Sequence, residues 1–124
     1  MKQILFVDDE RRVLEGLGRM LRVMRHDWDM TFIEDPCEAL ALLPDATFDA
    51  IVVDMRMPTM DGVALLKKAR ELKPGMARIV LSGHAAPEAA LRSVGLAHQF
   101  LAKPCDAATL RATITGHVAA VNVS

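Results

Sequence analysis

Three carboxylates, a hydroxyl and an ammonium group stand where short apolar runs of this chain stop. Asp8-Asp9 follow Ile4-Leu5-Phe6-Val7, Asp54 closes FDAIVVD (48–54), Ser82 follows Arg78-Ile79-Val80-Leu81, and Lys103 follows His98-Gln99-Phe100-Leu101-Ala102. Brought together, the acids repel one another unless a cation holds them. Oxygen ligands without histidine or cysteine select a hard ion, for which Mg²⁺ is the usual cellular choice. A lysine beside them neutralises the remaining charge and can pair with a phosphoryl oxygen. A carboxylate flanked by Mg²⁺ and lysine is a plausible phosphoryl acceptor, because both cations balance charge on the transferred group.

Taken singly, each of these residues has an ordinary reading. An aspartate after a strand is most often a helix cap, Ser82 a loop hydroxyl and Phe100 a core aromatic. Asp61-Gly62 reads as a helix start and is not assigned to the site. Met55, Met57 and Met60 around Pro58 read as loop packing rather than as thioether ligands. His26, His84, His98 and His117 are scattered without ligand spacing, and none reads as a metal ligand. His84, two residues after Ser82, falls nearest the rim. The order of the acids and the lysine along the chain, rather than any one residue, points to chemistry.

These residues need a scaffold that delivers strand ends to one place. Short apolar runs alternate with longer amphipathic ones: Val13, Leu14, Leu17, Met20, Leu21 and Met24 recur at helical spacing over about 10–24. The acids stand at the front of that helix, and Arg19, Arg22 and Arg25 towards its end, as the helix dipole favours. Strand-helix units are expected over about 3–24, 29–43, 48–72, 78–94 and 98–120. Pro36 opens the second helix, Lys73-Pro74-Gly75 stop the third, and Gly95 separates a helix over 87–94 from the last strand. Strict alternation predicts an α/β fold, a doubly wound parallel sheet with five helices on its two faces. In such sheets ligands bind beyond the carboxyl ends of the strands. That is where the acids fall.

The bulk properties agree. At 124 residues, 52% hydrophobic and 25% charged, the chain suits a single domain spanning 1–124 with a real core. A net charge of −1 gives no sign of a nucleic-acid or membrane-surface partner. The apolar runs fall far short of the ~20 residues that span a bilayer. Met1-Lys2-Gln3 run straight into a strand-like segment, so no signal peptide is expected. Cys37 and Cys105 form no Cys-x-x-Cys pair and are expected to be reduced, so a cytoplasmic protein is expected.

FVDDE, VDMRMPTMDG, VLSGHA and FLAKP, in this order and spacing, resemble the response regulator receiver domains of two-component signal transduction, over essentially the whole chain. The resemblance implies a flavodoxin-like sheet of strand order 2-1-3-4-5. It implies Asp54 as phosphoacceptor, Asp9 as direct Mg²⁺ ligand and Asp8 as the acid that usually reaches the ion through a water. Arg56 corresponds to the position whose backbone carbonyl completes the metal site, and Lys103 to the family lysine, with a cis peptide usual before Pro104. Ser82 corresponds to the switch hydroxyl, and Phe100 to the aromatic that reports phosphorylation at the face formed by helix four, strand five and helix five. Arg56 and His84 occupy rim positions that tune phosphoryl lifetime, so Arg56→Ala is expected to alter the dephosphorylation rate without abolishing phosphorylation.

The resemblance further implies a sensor histidine kinase or phosphotransfer protein as donor. It implies a signalling domain rather than an enzyme, acting through an output domain, a downstream protein or a phosphorylation-dependent homodimer. The wording LSGHA and HQFLAKPCD resembles receivers fused to HD-type phosphodiesterase or related outputs.

Three other readings stand beside it. A haloacid-dehalogenase-type phosphatase needs a second aspartate two residues after its nucleophile, where this chain has Arg56. A flavodoxin-like FMN carrier needs a phosphate loop after strand one, where Asp8-Asp9-Glu10 would repel a phosphate. A pseudo-receiver, a binding scaffold without phosphorylation, usually lacks an acid or the lysine, and all are present.

Overall fold

Ile4-Leu5-Phe6-Val7 are buried on both sides, which is why the first strand carries no polar alternation. The computed structural model describes residues 2–55, 60–82, 99–102 and 106–123, and in it β1 (Lys2–Val7), β2 (Trp28–Ile33), β3 (Ala50–Met55), β4 (Ala77–Ser82) and β5 (Gln99–Ala102) form one parallel sheet. Its order is β2-β1-β3-β4-β5, the flavodoxin-like order. Helices α1 (Arg11–Met20), α2 (Pro36–Leu42), α3 (Met60–Leu72) and α4 (Ala107–Val123) connect or follow the strands. The helix expected over 87–94 lies outside the described residues.

Strand alternation divides the core in two. Leu5, Val7, Ile51, Val53 and Val80 point to one face, where α2 and α3 cover them with Ala39, Leu65, Leu66 and Ala69. Ile4, Phe6, Val52, Ile79 and Leu81 point to the other, covered by Leu14 and Leu17 of α1 and by Leu110, Ile114 and Val118 of α4. Each such side chain contributes about 1.5–3 kcal/mol on burial, so both faces are needed to hold the sheet.

The first helix is shorter than its periodicity implies. α1 ends at Met20, and Arg22–Met24 form a 3-10 turn. Leu21, 1% exposed, anchors the chain while the Met24 and Asp27 N–H groups donate to the carbonyls of Leu21 and Met24, each at 2.9 Å. This tighter winding turns the chain back in time for Trp28 to pair with Lys2. Arg22 and Arg25 therefore lie beyond the α-helix, and its first turn holds no acid. β2 starts at Trp28, one residue before the unit expected from about 29, with Trp28 buried and Asp29 exposed. α2 begins as expected, with Pro36 in its first turn and the Asp35 carboxylate accepting the Cys37 N–H at 2.9 Å.

The strands are pinned at the end away from the acids. Gln3 N–H donates to the Asp49 carboxylate, Asp49 N–H returns to the Gln3 carbonyl, both at 2.8 Å, and Ala77 N–H donates to the Asp49 carbonyl at 3.1 Å. Lys73 Nζ donates to the Phe48 carbonyl at 3.1 Å. Buried Arg78 donates to the carbonyls of Pro74 and Met76; burial, and secondarily the charge of Arg70, lower its pKa. In parallel strands of equal pitch, fixing the starts fixes the register of the ends.

Candidate functional site

At those ends the register sets Val7 against Val53, so the next positions on the two neighbouring strands are Asp8 and Asp54. Adjacent strands run about 4.8 Å apart. On the far side of β3, Asp54 pairs with Leu81 and Met55 with Ser82, and Ser82 in turn pairs with Ala102. Asp8, Asp54 and Ser82 thus occupy successive strand ends along one rim, in the middle of the sheet rather than at its edge. The side chains of Asp54, Ser82 and Phe100 lie outside what is described, as do residues Arg56, His84, Lys103 and Pro104 altogether.

Asp8 has left the strand but not the core: it is 3% exposed. Its N–H donates to the Ile33 carbonyl at 3.2 Å, and its Oδ1 accepts the Glu10 N–H at 2.9 Å, while Oδ2 is also buried. The helix-cap role, the ordinary reading of an aspartate after a strand, is not the one observed. Glu10 holds the N-cap position of α1, its side chain making no capping bond to the helix, and Asp8 closes a local side-chain-to-backbone turn ahead of it. The Ile33 carbonyl fixes the Asp8 backbone, and the Glu10 N–H orients its carboxylate. Asp9 follows as an exposed residue. One acid is held in a low-dielectric corner and its neighbour open to solvent.

Asp8 and Asp9 are oxygen donors, with an exposed carboxylate available to a hydrated cation, and this fits a hard divalent ion. Among the described residues no three acids, histidines or cysteines gather to cage a metal. The Ile33 and Glu10 backbone contacts of Asp8 were not foreseen from sequence, since a backbone carbonyl leaves no signature in residue type.

Residues 4–115 match the family model of the response regulator receiver domain. A curated response regulator receiver protein of Anaeromyxobacter sp. is 40% identical over 98 residues, 77% of this chain and 40% of that protein. The first curated relatives are longer proteins, of which the matched region spans between 21% and 40%. Among solved structures, a receiver domain protein from Methanospirillum hungatei superposes with a TM-score of 0.85 at 28% identity, covering 98% of this chain and 97% of that one. The signal receiver domain of an HD domain-containing protein from Pseudomonas fluorescens also reaches 0.85, at 25% identity, covering 99% of this chain and 98% of that one.

Proposed function

The chain belongs to the response regulator receiver family, and from that premise we propose that Asp54 is its phosphoacceptor, taking a phosphoryl group from a histidine kinase or phosphotransfer protein in a Mg²⁺-dependent step. The observation that carries this reading is the register: buried Asp8, just past β1, and Asp54, near the end of β3, fall at neighbouring positions of the central strands, and Ser82 ends the next. Membership in the family displaces the phosphatase and FMN-carrier readings.

A carboxylate oxygen of Asp54 attacks the phosphorus while its bond to the donor nitrogen breaks. Asp8, Asp9, Asp54 and the Arg56 backbone carbonyl would hold Mg²⁺, which would balance charge between the acids and the transferred group. Asp8 contributes from a carboxylate already oriented by the Glu10 N–H, so little reorganisation is needed. Lys103 pairs with a phosphoryl oxygen and Ser82 supplies a hydroxyl that follows it, with Phe100 transmitting the change to the face formed by the helix expected over 87–94, β5 and α4. By their correspondence to family positions, Arg56 and His84 would tune how long the phosphoryl group survives. As a family member the chain is a signalling domain, and its family works with histidine kinases and output domains. Its own output, in a longer parent chain, a separate protein or a homodimer, belongs to this proposal, as does a cytoplasmic location. Among the described residues no helix is long and apolar enough to cross a membrane.

Intact mass after incubation with acetyl phosphate and Mg²⁺ tests the reading. One phosphoryl adduct on the wild type and none on Asp54→Asn is expected. No adduct on either, with folded protein and a phosphohistidine donor also tried, would leave the pseudo-receiver standing.

A further inference from the structure

Beside the acid rim, which it meets at Ile33, a groove of about 460 Å³ opens between α1 and the outer edge of the sheet. Arg11, Leu14, Glu15 and Gly18 line one wall, a stripe at helical spacing. Phe32, Ile33 and Glu34 at the end of β2, with Glu38 of α2, form the other. Phe32 stacks on Phe6 with ring centroids 5.0 Å apart and 13° between planes, yet 36% of it stays exposed.

Gly18 is the reason. It lies inside α1, where glycine is among the least favourable residues. A Cβ there would meet Phe32 at 3.8 Å, an ordinary van der Waals contact. Packing does not demand the glycine. What it does is leave an aromatic face open beside the helix.

The charge around that face has one sign in excess. Glu15, Glu34 and Glu38 stand against Arg11, whose Nε reaches Glu34 at 3.8 Å with both side chains largely in water, a pair of little strength. An aromatic face ringed by carboxylates suits a guanidinium, which stacks on the ring and donates to the acids. β2 is an edge strand, so the groove is bounded by no further strand and admits a length of polypeptide. We propose that this groove is a docking surface for an arginine-bearing segment of a partner protein, its guanidinium stacking on Phe32 and pairing with Glu15, Glu34 and Glu38. The groove adjoins the acid rim at Ile33, but Phe32, Glu15, Glu34 and Glu38 are not among the residues assigned to phosphoryl transfer, and the proposal does not depend on Asp54 chemistry.

The probe is an acetylated, amidated helical peptide carrying two arginines four residues apart, titrated into the ¹⁵N-labelled chain, with the citrulline peptide as its neutral counterpart. Saturable shifts centred on the Gly18, Phe32 and Glu34 amides are expected, with affinity about tenfold weaker for citrulline and for the Glu34→Lys/Glu38→Lys double variant. Both positions are exposed, so that variant should melt as the wild type does. Gly18→Leu, which covers Phe32 while remaining helix-compatible, should weaken binding by a similar factor. Shifts that never saturate, or that are equal for arginine and citrulline, overturn the proposal. So do shifts of the same amides with protein concentration alone, which would make a second copy the occupant.

Discussion

A carboxylate with 3% of its surface exposed, as Asp8 has, is costly to ionise, and here it stands beside Asp9 and one strand from Asp54. Asp8→Asn keeps an oxygen to accept the Glu10 N–H while removing the buried charge. The variant should therefore be more stable than the wild type in the absence of divalent ions, by about 1 kcal/mol. Mg²⁺ should raise the wild-type melting temperature more than that of the variant, since ligand bound to the native state stabilises it by mass action. Melts in chelator and in excess Mg²⁺ check both halves; a variant less stable in chelator would show that the carboxylate is a structural anchor instead. At this scale the acids were legible because each ends an apolar run. The exposure of Phe32 was not: it reads as an ordinary strand aromatic, and only the packing of Gly18 opposite it leaves the ring open.

Elements were legible where the apolar period was long and their ends less so, because ends answer to tertiary partners. α1 stops at Met20 although Leu21 and Met24 continue the pattern, since the chain must turn to place Trp28 on Lys2. α4 shows the opposite case, a start written in the sequence. The Asp106 carboxylate accepts the Thr109 N–H at 2.7 Å, and the Leu110 N–H donates to the Asp106 carbonyl. The Thr109 backbone bond, and secondarily its side chain, hold the Asp106 pKa below the ordinary aspartate range. A depressed acid pKa gives stability that is complete above the unfolded value and lost as pH falls through the lower folded value. Asp106→Ala should therefore be less stable than the wild type at neutral pH, with the gap closing only in strong acid. Urea unfolding at neutral pH and at a series of acidic values reads this directly; a gap constant with pH would remove the carboxylate from the account.

Across the whole molecule the parallel sheet separates two ends with different tasks. The start of the sheet is a clamp, made by Gln3, Asp49, Lys73 and Arg78, and the finish is the acid rim. Trp28, the single tryptophan, belongs to the clamped end: it pairs with Lys2, is 5% exposed and packs into the α1–α4 core. Six residues separate Lys2 from Asp8 along β1, which at about 3.3 Å per residue puts Trp28 roughly 20 Å from the acids. An ion or phosphoryl group at the rim has no direct contact through which to quench that indole. Mg²⁺ should therefore leave Trp28 emission nearly unchanged, at concentrations that do raise the melting temperature. Urea should shift the same emission to the red in step with loss of helical circular dichroism, because both cores share this sheet and unfold together. Strong quenching by Mg²⁺ would require the β1–β2 register to change along its whole length. A fluorescence transition preceding the loss of helix would instead mean that the α1–α4 core opens independently of the α2–α3 core, and that the sheet does not couple its two faces.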